Sequence, residues 1–451
     1  MCQFNYRRRA YVHFDLPLRR ETAERLATNP VAVAEHQFFP FIFSNVITQK
    51  IGRTSDGRVV RNKPKKRTIA YPAHSDSHIF SHYSDKLQHL HEAVLDERVL
   101  ETIVTAFRQT NGRSNVHFAN EVFEFIRAQP SCAALAMDVS DFFGSLDHEL
   151  LKRAWASLLM VDRLPEDHFA VFRAITKYCQ VEKEALYDAL HIPLNNPRLA
   201  GKHRLRLRDR EGRPTIEDNL NRLCPAFRFR QWVRERGLLQ INLTGRGIPQ
   251  GSPISAVLSN IYMVEMDAAV NSFVTSNGGL YRRYCDDILV VMPTAELRDQ
   301  ARHLIETWMK DLRLRWNPAK TEAIDFGLER PIPGKPLQYL GFTFDGVNKR
   351  IRPGSVARFY RKMRRGVLRA KLHRRNADDE ARRTIPSPLK KKLIYRRYSY
   401  LGRKLGKNRE EKRNFLSYAF GAAQIMNDPG IKRQVKAHWK RLKQEIEKPL
   451  R

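Results

Sequence analysis

Apolar side chains recur every three or four residues at Ile79, Tyr83, Leu87 and Leu90, which predicts a helix across 75–107. The pattern then changes. Ala133-Ala134-Leu135-Ala136-Met137 is an unbroken apolar run of strand length that ends on Asp138, and it predicts a buried strand. Asp147 precedes a helical pattern through Leu151 and Trp155 and is expected to cap a helix starting at His148. Two short apolar runs within 279–292 flank Tyr284-Cys285-Asp286-Asp287, the outline of a hairpin, and 338–344 reads as one more strand. Further on, Ser387-Pro388 offers an N-cap with proline at the first helical position. Leu389, Leu393, Ile394, Leu401 and Leu405 mark one face of that helix, and Gly406 marks its stop. The chain thus reads as a mixed α/β region followed by an all-helical one, with no internal repeat and no Gly/Ser-rich linker. Its 451 residues suit two to four domains.

Charge adds a partner to this outline. The net charge is +33, and residues 352–451 hold 31 Lys and Arg against 8 Asp and Glu, so +23 of it lies in the last hundred residues. Solubility does not require one sign so strongly. Basic residues interleaved with Tyr395, Tyr398, Tyr400, Phe415, Tyr418, Phe420 and Trp439 suit a nucleic-acid backbone, with an anionic membrane surface as the main competitor. No apolar run reaches the length of a membrane span, and the first residues lack the pattern of a signal peptide. Five scattered cysteines, Cys2, Cys132, Cys179, Cys224 and Cys285, argue against a disulfide framework. The expectation is a soluble, cytoplasmic protein without membrane association.

The carboxylates carry the chemistry. Singly, Asp287 reads as a turn residue and Asp138 as a loop cap. Together, at the ends of apolar strands in a basic protein, Asp138, Asp286 and Asp287 suggest strands converging on a divalent metal, because a carboxylate beside buried strands is costly unless paired or metal-bound. Mg²⁺ takes oxygen ligands, only one or two of them protein carboxylates, and phosphates and water complete its shell.

The blocks around these residues resemble the reverse transcriptases of the group II intron and retron class. Ala136-Met137-Asp138-Val139-Ser140-Asp141-Phe142-Phe143 looks like their first catalytic block. Gly247-Ile248-Pro249-Gln250-Gly251-Ser252-Pro253 is similar to the next, Tyr284-Cys285-Asp286-Asp287 to their YxDD box, and Leu337-Gln338-Tyr339-Leu340-Gly341-Phe342 to the strand that grips the primer. The likeness spans about residues 60–345.

The resemblance implies an α/β right-hand polymerase, palm and fingers followed by an all-α basic thumb. An N-terminal extension and fingers would occupy 1–130, the palm 131–345 with a fingers-like or RNA-binding insertion at about 150–240, and the thumb 346–451. It implies RNA-directed DNA synthesis from deoxynucleotides with two Mg²⁺ ions, or Mn²⁺ as substitute, on Asp138, Asp286 and Asp287, the last in a supporting place. Arg67, in Lys65-Lys66-Arg67-Thr68, and Arg108, in Ala106-Phe107-Arg108, would clamp the triphosphate, since guanidinium forks match phosphate oxygens. Gln250 would lie against the nucleotide and Phe143 would exclude a ribose 2′-hydroxyl. Lys320 and Gly341 would meet primer or template. Arg204 and Arg206, in a period-two basic run, and the thumb's Lys391 and Arg396 are further candidates for contact with nucleic acid.

The absence of endonuclease, RNase H-like or integrase-like blocks after the thumb argues against a mobile-intron protein and a retroviral polymerase. The layout resembles stand-alone, defence-associated bacterial enzymes of the unknown-group or abortive-infection type, which implies a non-coding RNA, a companion protein and an oligomeric assembly as partners. Two alternatives remain open at this point: template-independent or protein-primed DNA synthesis on the same fold, and a non-catalytic RNA-binding scaffold. His74, His78 and His82 share a helical spacing compatible with zinc, although RNA contact fits that block better. Gly245-Arg246-Gly247 lacks the context of a dinucleotide fingerprint.

Overall fold

The computed structural model describes residues 4–49, 51–53, 58–61, 63–108, 112–192, 222–382, 384–385, 387–403 and 414–450. The basic run containing Arg204 and Arg206 lies outside these residues, as do Cys2, Leu405 and Gly406. The chain packs as two compact units, one of residues 1–108, 139–270 and 304–317, the other of residues 109–138, 271–303 and 318–451. In the second unit the C-terminal helices share a core with the strands that precede them.

In the first unit, strand Phe41–Thr48 pairs antiparallel with Lys65–Tyr71 and parallel with Cys179–Glu182, and Gln240–Ile241 forms the far edge. Ile42, Val181, Leu186, Leu190 and Leu223 are buried together beside this sheet. The helix expected over 75–107 runs from His74 to Glu97 and buries Ile79, Tyr83 and Leu87. It ends early because Val99 takes φ 57, a left-handed conformation no helix can continue. Leu100, Ile103 and Val104 are also buried, so their spacing mimics helix beyond its true end. Asp15 caps the start, accepting from His74 N at 2.9 Å and Ser75 N at 2.8 Å. Asp147 caps the helix His148–Leu158 as expected, through the amides of Glu149 and Leu150.

The three spaced histidines turn inward against rings: His74 stacks on Tyr11 and His78 on Tyr6, while His82 packs beside Phe4. Among the described residues no trio of His, Cys, Asp or Glu is arranged to hold a metal, so the zinc reading of this face is withdrawn. Burial, then His74, lowers His13 to about 3. Burial is likewise the main cause that lowers His78 and His82 to about 4. These rings stay neutral when folded, whereas an unfolded chain takes up their protons near pH 6.5. Their contribution is intact above pH 6.5 and is lost as pH falls from 6.5 towards 4, at roughly 1.4 kcal/mol per pH unit for each proton refused by the native state. Urea midpoints of wild type should therefore fall between pH 7 and pH 5. His78→Phe should flatten that dependence.

In the second unit a four-stranded antiparallel sheet has the order Glu322–Phe326, Cys132–Asp138, Asp287–Met292, Leu280–Tyr284. Ala133–Leu135 and Ile288–Met292 are buried on both alternating faces, which is why these strands read as continuous apolar runs. The single strand expected over 338–344 is a hairpin of Leu337–Tyr339 and Phe342–Phe344. Leu340 and Gly341 turn it at φ 45 and 91, the paired positive values of a tight primed turn. Phe326, Phe342 and Phe344 pack in one core with Phe359, Met363, Ile394 and Leu416 from the C-terminal helices. The helix expected from Ser387-Pro388 begins only at Lys391 and ends at Tyr398. Ser387 is engaged elsewhere, donating its amide (3.0 Å) and hydroxyl (2.5 Å) to the Asp378 carboxylate. Among the described residues Cys132, Cys179, Cys224 and Cys285 form no disulfide.

Candidate active site

The second unit gathers the three carboxylates. The strand Cys132–Asp138 pairs with Asp287–Met292 in a register that sets Asp138 directly opposite Asp287. Tyr284 also faces Asp287 across the hairpin, leaving Cys285-Asp286 as a two-residue turn. Cys285 takes φ 58 there, and its buried side chain anchors the turn while Asp286 remains partly exposed. Burial raises the Cys285 thiol far above its ordinary range, so it is a packing group rather than a nucleophile.

Electrostatics at this turn are unbalanced. Asp287 keeps access to solvent, yet surrounding protein, followed by the charges of Asp286 and Asp138, pushes its carboxyl up to about 6. Lys320 and Arg352 pull the other way. Lys320 ends the short turn Pro318–Lys320 and sets its ammonium on Asp138 Oδ1. Three carboxylates crowded to this degree favour an additional positive charge. As placed, with Lys320 on Asp138, the three carboxylates do not form a ready group of metal ligands among the described residues. Asp138, Asp286 and Asp287 are the oxygen donors that a hard dication, taking the rest of its shell from phosphate and water, would use.

The Leu340-Gly341 turn belongs to the same unit. Asn115 Nδ2 donates to Leu340 O at 3.0 Å, and Arg352 N donates to Gly341 O at 2.9 Å. Lys391 and Arg396 are exposed on their helix.

In the first unit one loop ties together three of the expected nucleotide-binding residues. Ile248 N donates to Phe143 O at 2.8 Å, and Ala70 N, on the strand that carries Arg67, donates to Gln250 O at 2.8 Å. Gly247, at φ 82, sits so close to Gly144 that a Cβ would lie 2.9 Å from its carbonyl oxygen. Gly251, at φ 116, presses its Cα against Ala70 O in the same manner. Gln250 and Arg67 are exposed. Phe142 is buried and Phe143 half-buried, so of the two only Phe143 presents its ring to solvent. Gly251→Ala is expected to unseat Gln250 from the strand and lower nucleotide use (kcat/KM) at least about tenfold at unchanged helix content, measurable by steady-state incorporation and circular dichroism.

Arg108 is corrected. Its guanidinium is buried, bonded through Nε to both Glu92 oxygens at 2.9 and 3.0 Å and through Nη1 to Val104 O at 2.7 Å. Nη2 also meets Glu92. With Glu92 and a backbone carbonyl on its fork, Arg108 is engaged within the fold rather than held out as Arg67 is. Two groups that the sequence reading missed are Arg352, whose charge reaches Asp287, and Asn242, whose amide holds Arg246 O at 2.8 Å and Thr176 O at 3.0 Å beneath the Gly247 loop. Asn242 lies five residues ahead of that Gly-Ile-Pro-Gln block, the only local hint of its role.

Residues 216–344 match the family model described as reverse transcriptase (RNA-dependent DNA polymerase). The matched span contains the Gly247–Ser252 loop, the Tyr284–Asp287 turn and the Leu340-Gly341 turn; Asp138, Phe143 and Arg67 precede it. No curated protein sequence matches the chain. Among solved structures, apo telomerase from Candida tropicalis, truncated from its C-terminal domain, aligns with 11% identity and a TM-score of 0.39, over 68% of this chain and 55% of that one. Telomerase from Candida albicans, in complex with a TWJ fragment of telomeric RNA, aligns with 12% identity and a TM-score of 0.40, over 94% and 60%. The chain thus spans less than two thirds of the telomerase chains it matches, and likenesses this distant fix neither activity nor partner. Among the described residues no helix is long and apolar enough to cross a membrane.

Proposed function

We propose that the protein is an RNA-directed DNA polymerase, which extends a 3′-hydroxyl with deoxynucleotides. The observation that carries this reading is the register of Asp138 opposite Asp287, with Asp286 in the adjoining turn and Lys320 on Asp138. The family match over 216–344 supports it from the sequence side.

In the reaction the primer 3′-oxygen attacks the α-phosphorus of the nucleotide, a new P–O bond forms, and the bond to the β-phosphate breaks to release pyrophosphate. Asp138 and Asp286 would hold Mg²⁺, with Asp287 in support; when bound, the metal supplies activation of the 3′-hydroxyl and charge neutralisation on the phosphates. Arg67 binds triphosphate oxygens through its exposed fork. Gln250, fixed by its carbonyl to Ala70, orients the nucleotide, and Phe143 limits the sugar. Lys320 holds Asp138 in place and moderates the repulsion among the carboxylates before substrate arrives. A role in defence against phage, with a non-coding RNA, follows from the likeness in chain layout alone.

Extension of a DNA primer annealed to RNA, with dNTPs and Mg²⁺, tests the reading. Products one or more nucleotides longer that vanish with EDTA are expected. A folded, RNA-binding protein that leaves the primer unextended under these conditions would refute it.

A further inference from the structure

The helix Pro353–Glu380 carries Lys362, Arg365, Arg369 and His373 at spacings of three and four, a single basic ridge, and all four are exposed. Across from it, Lys390 and Arg397 bracket Leu393 on the segment of helix Lys391–Tyr398. Between the two lies a groove of about 1060 Å³, slightly above the usual range for ligand-binding clefts. Its floor is not basic: Ala370, Leu393, Ile394 and the ring of Tyr398 supply it. Tyr398 reaches that position because residue 366 is glycine, where a Cβ would fall 2.6 Å from Cε2 of the ring. A glycine inside a helix of 28 residues is disfavoured, and here it makes room for an aromatic floor.

Among the described lining residues Asp378 is the one acid, and it accepts from Ser387; Arg374 Nε is buried with no acceptor among the described residues.

We propose that this groove binds an unpaired RNA strand, phosphates along the basic walls and bases on the apolar floor; this rests on the reading of the protein as an RNA-directed polymerase. The charge fits a phosphodiester backbone, and the apolar floor separates a single strand from a duplex. A duplex shows a groove only its phosphates and would leave the floor uncovered, whereas unpaired bases stack on aromatic and apolar surface. Within this groove the contacts of this helix would come from Lys390 and Arg397, since Lys391 and Arg396 lie outside the lining.

Fluorescence anisotropy of the full chain with labelled U12 RNA, dT12 and a 12-base-pair RNA–DNA duplex, over a range of salt, tests the proposal. The variant Arg365→Gln/Arg369→Gln/Arg397→Gln is compared with Arg361→Gln/Arg375→Gln/Arg382→Gln, which removes equal charge from outside the lining. We expect the groove variant to flatten the log–log salt slope for U12 by about 2, at roughly 0.7 per lost phosphate contact, and the control by less than half of that. Duplex affinity should change less than about threefold. Equal losses in both variants, parallel loss of the duplex, tighter binding of dT12 than U12, or competition by poly-glutamate as effective as by unlabelled U12 would each overturn the groove assignment while leaving the polymerase reading intact. Wild type that binds none of the three probes would remove both.

Discussion

Asp138→Ala and Asp286→Ala are each expected to leave less than about one hundredth of wild-type primer extension, while affinity for RNA stays within about threefold. Asp138 ends one strand and faces Asp287 across the ladder, while Asp286 lies in the turn beside Asp287. On the proposed reading, removing either would take an oxygen donor from a hard cation and strike the transition state, in which charge develops on the attacking and leaving oxygens. The basic C-terminal helices that would hold RNA are untouched. Neither change should unfold the protein, because both side chains retain solvent access and neither fills a core position. Single-turnover extension separates this from weaker binding, since added RNA cannot restore a chemical step. Residual synthesis of a tenth of wild type by either variant would contradict the metal assignment.

The second large effect concerns sugar choice. Phe143→Ala and Phe143→Val should admit ribonucleotides more readily than wild type, narrowing the expected preference for deoxynucleotides by at least about tenfold. Misplacing a reacting group by about 1 Å can cost on the order of a hundredfold in rate, so a ring that displaces a 2′-hydroxyl is an effective filter. The neighbouring ring makes the contrast useful. Phe142 is buried, so Phe142→Ala should cost stability and reduce all incorporation alike. Phe143 is half-buried, and its backbone carbonyl accepts from Ile248 N of the Gln250 loop, a bond that truncation of the side chain preserves. Competing dNTP and rNTP incorporation by the folded variants distinguishes the two. An unaltered ratio in Phe143→Ala would remove it as the gate.

The parts of the fold that were legible in the sequence are those set by local pattern. The Asp138 strand announces itself because both of its faces are buried, the Tyr284–Asp287 hairpin because two apolar runs flank a short polar turn, and the Asp147 cap because a side-chain acceptor precedes a helical stripe. What escaped was decided by partners remote along the chain or by single backbone angles. Val99 ends its helix at φ 57 although the apolar spacing continues, and Leu340 adopts φ 45 where a leucine ordinarily extends a strand. Arg108 lies beside a motif that suggests phosphate, yet Glu92, one helix earlier, takes its fork. Lys320 reaches Asp138 across 182 residues, and Arg352 bears on Asp287 from the start of the C-terminal region. Neither pairing leaves a trace in local composition. Asp378 likewise captures Ser387 and delays the helix that Ser387-Pro388 would otherwise begin.

The central claim is that the protein copies RNA into DNA, and sequencing what it makes tests that most directly. Wild type supplied with a heteropolymeric RNA template, an annealed DNA primer, all four dNTPs and Mg²⁺ should yield DNA complementary to the template beyond the primer, and Asp286→Ala should yield none. Product whose sequence is unrelated to the template, or DNA that accumulates equally without template, would contradict the account.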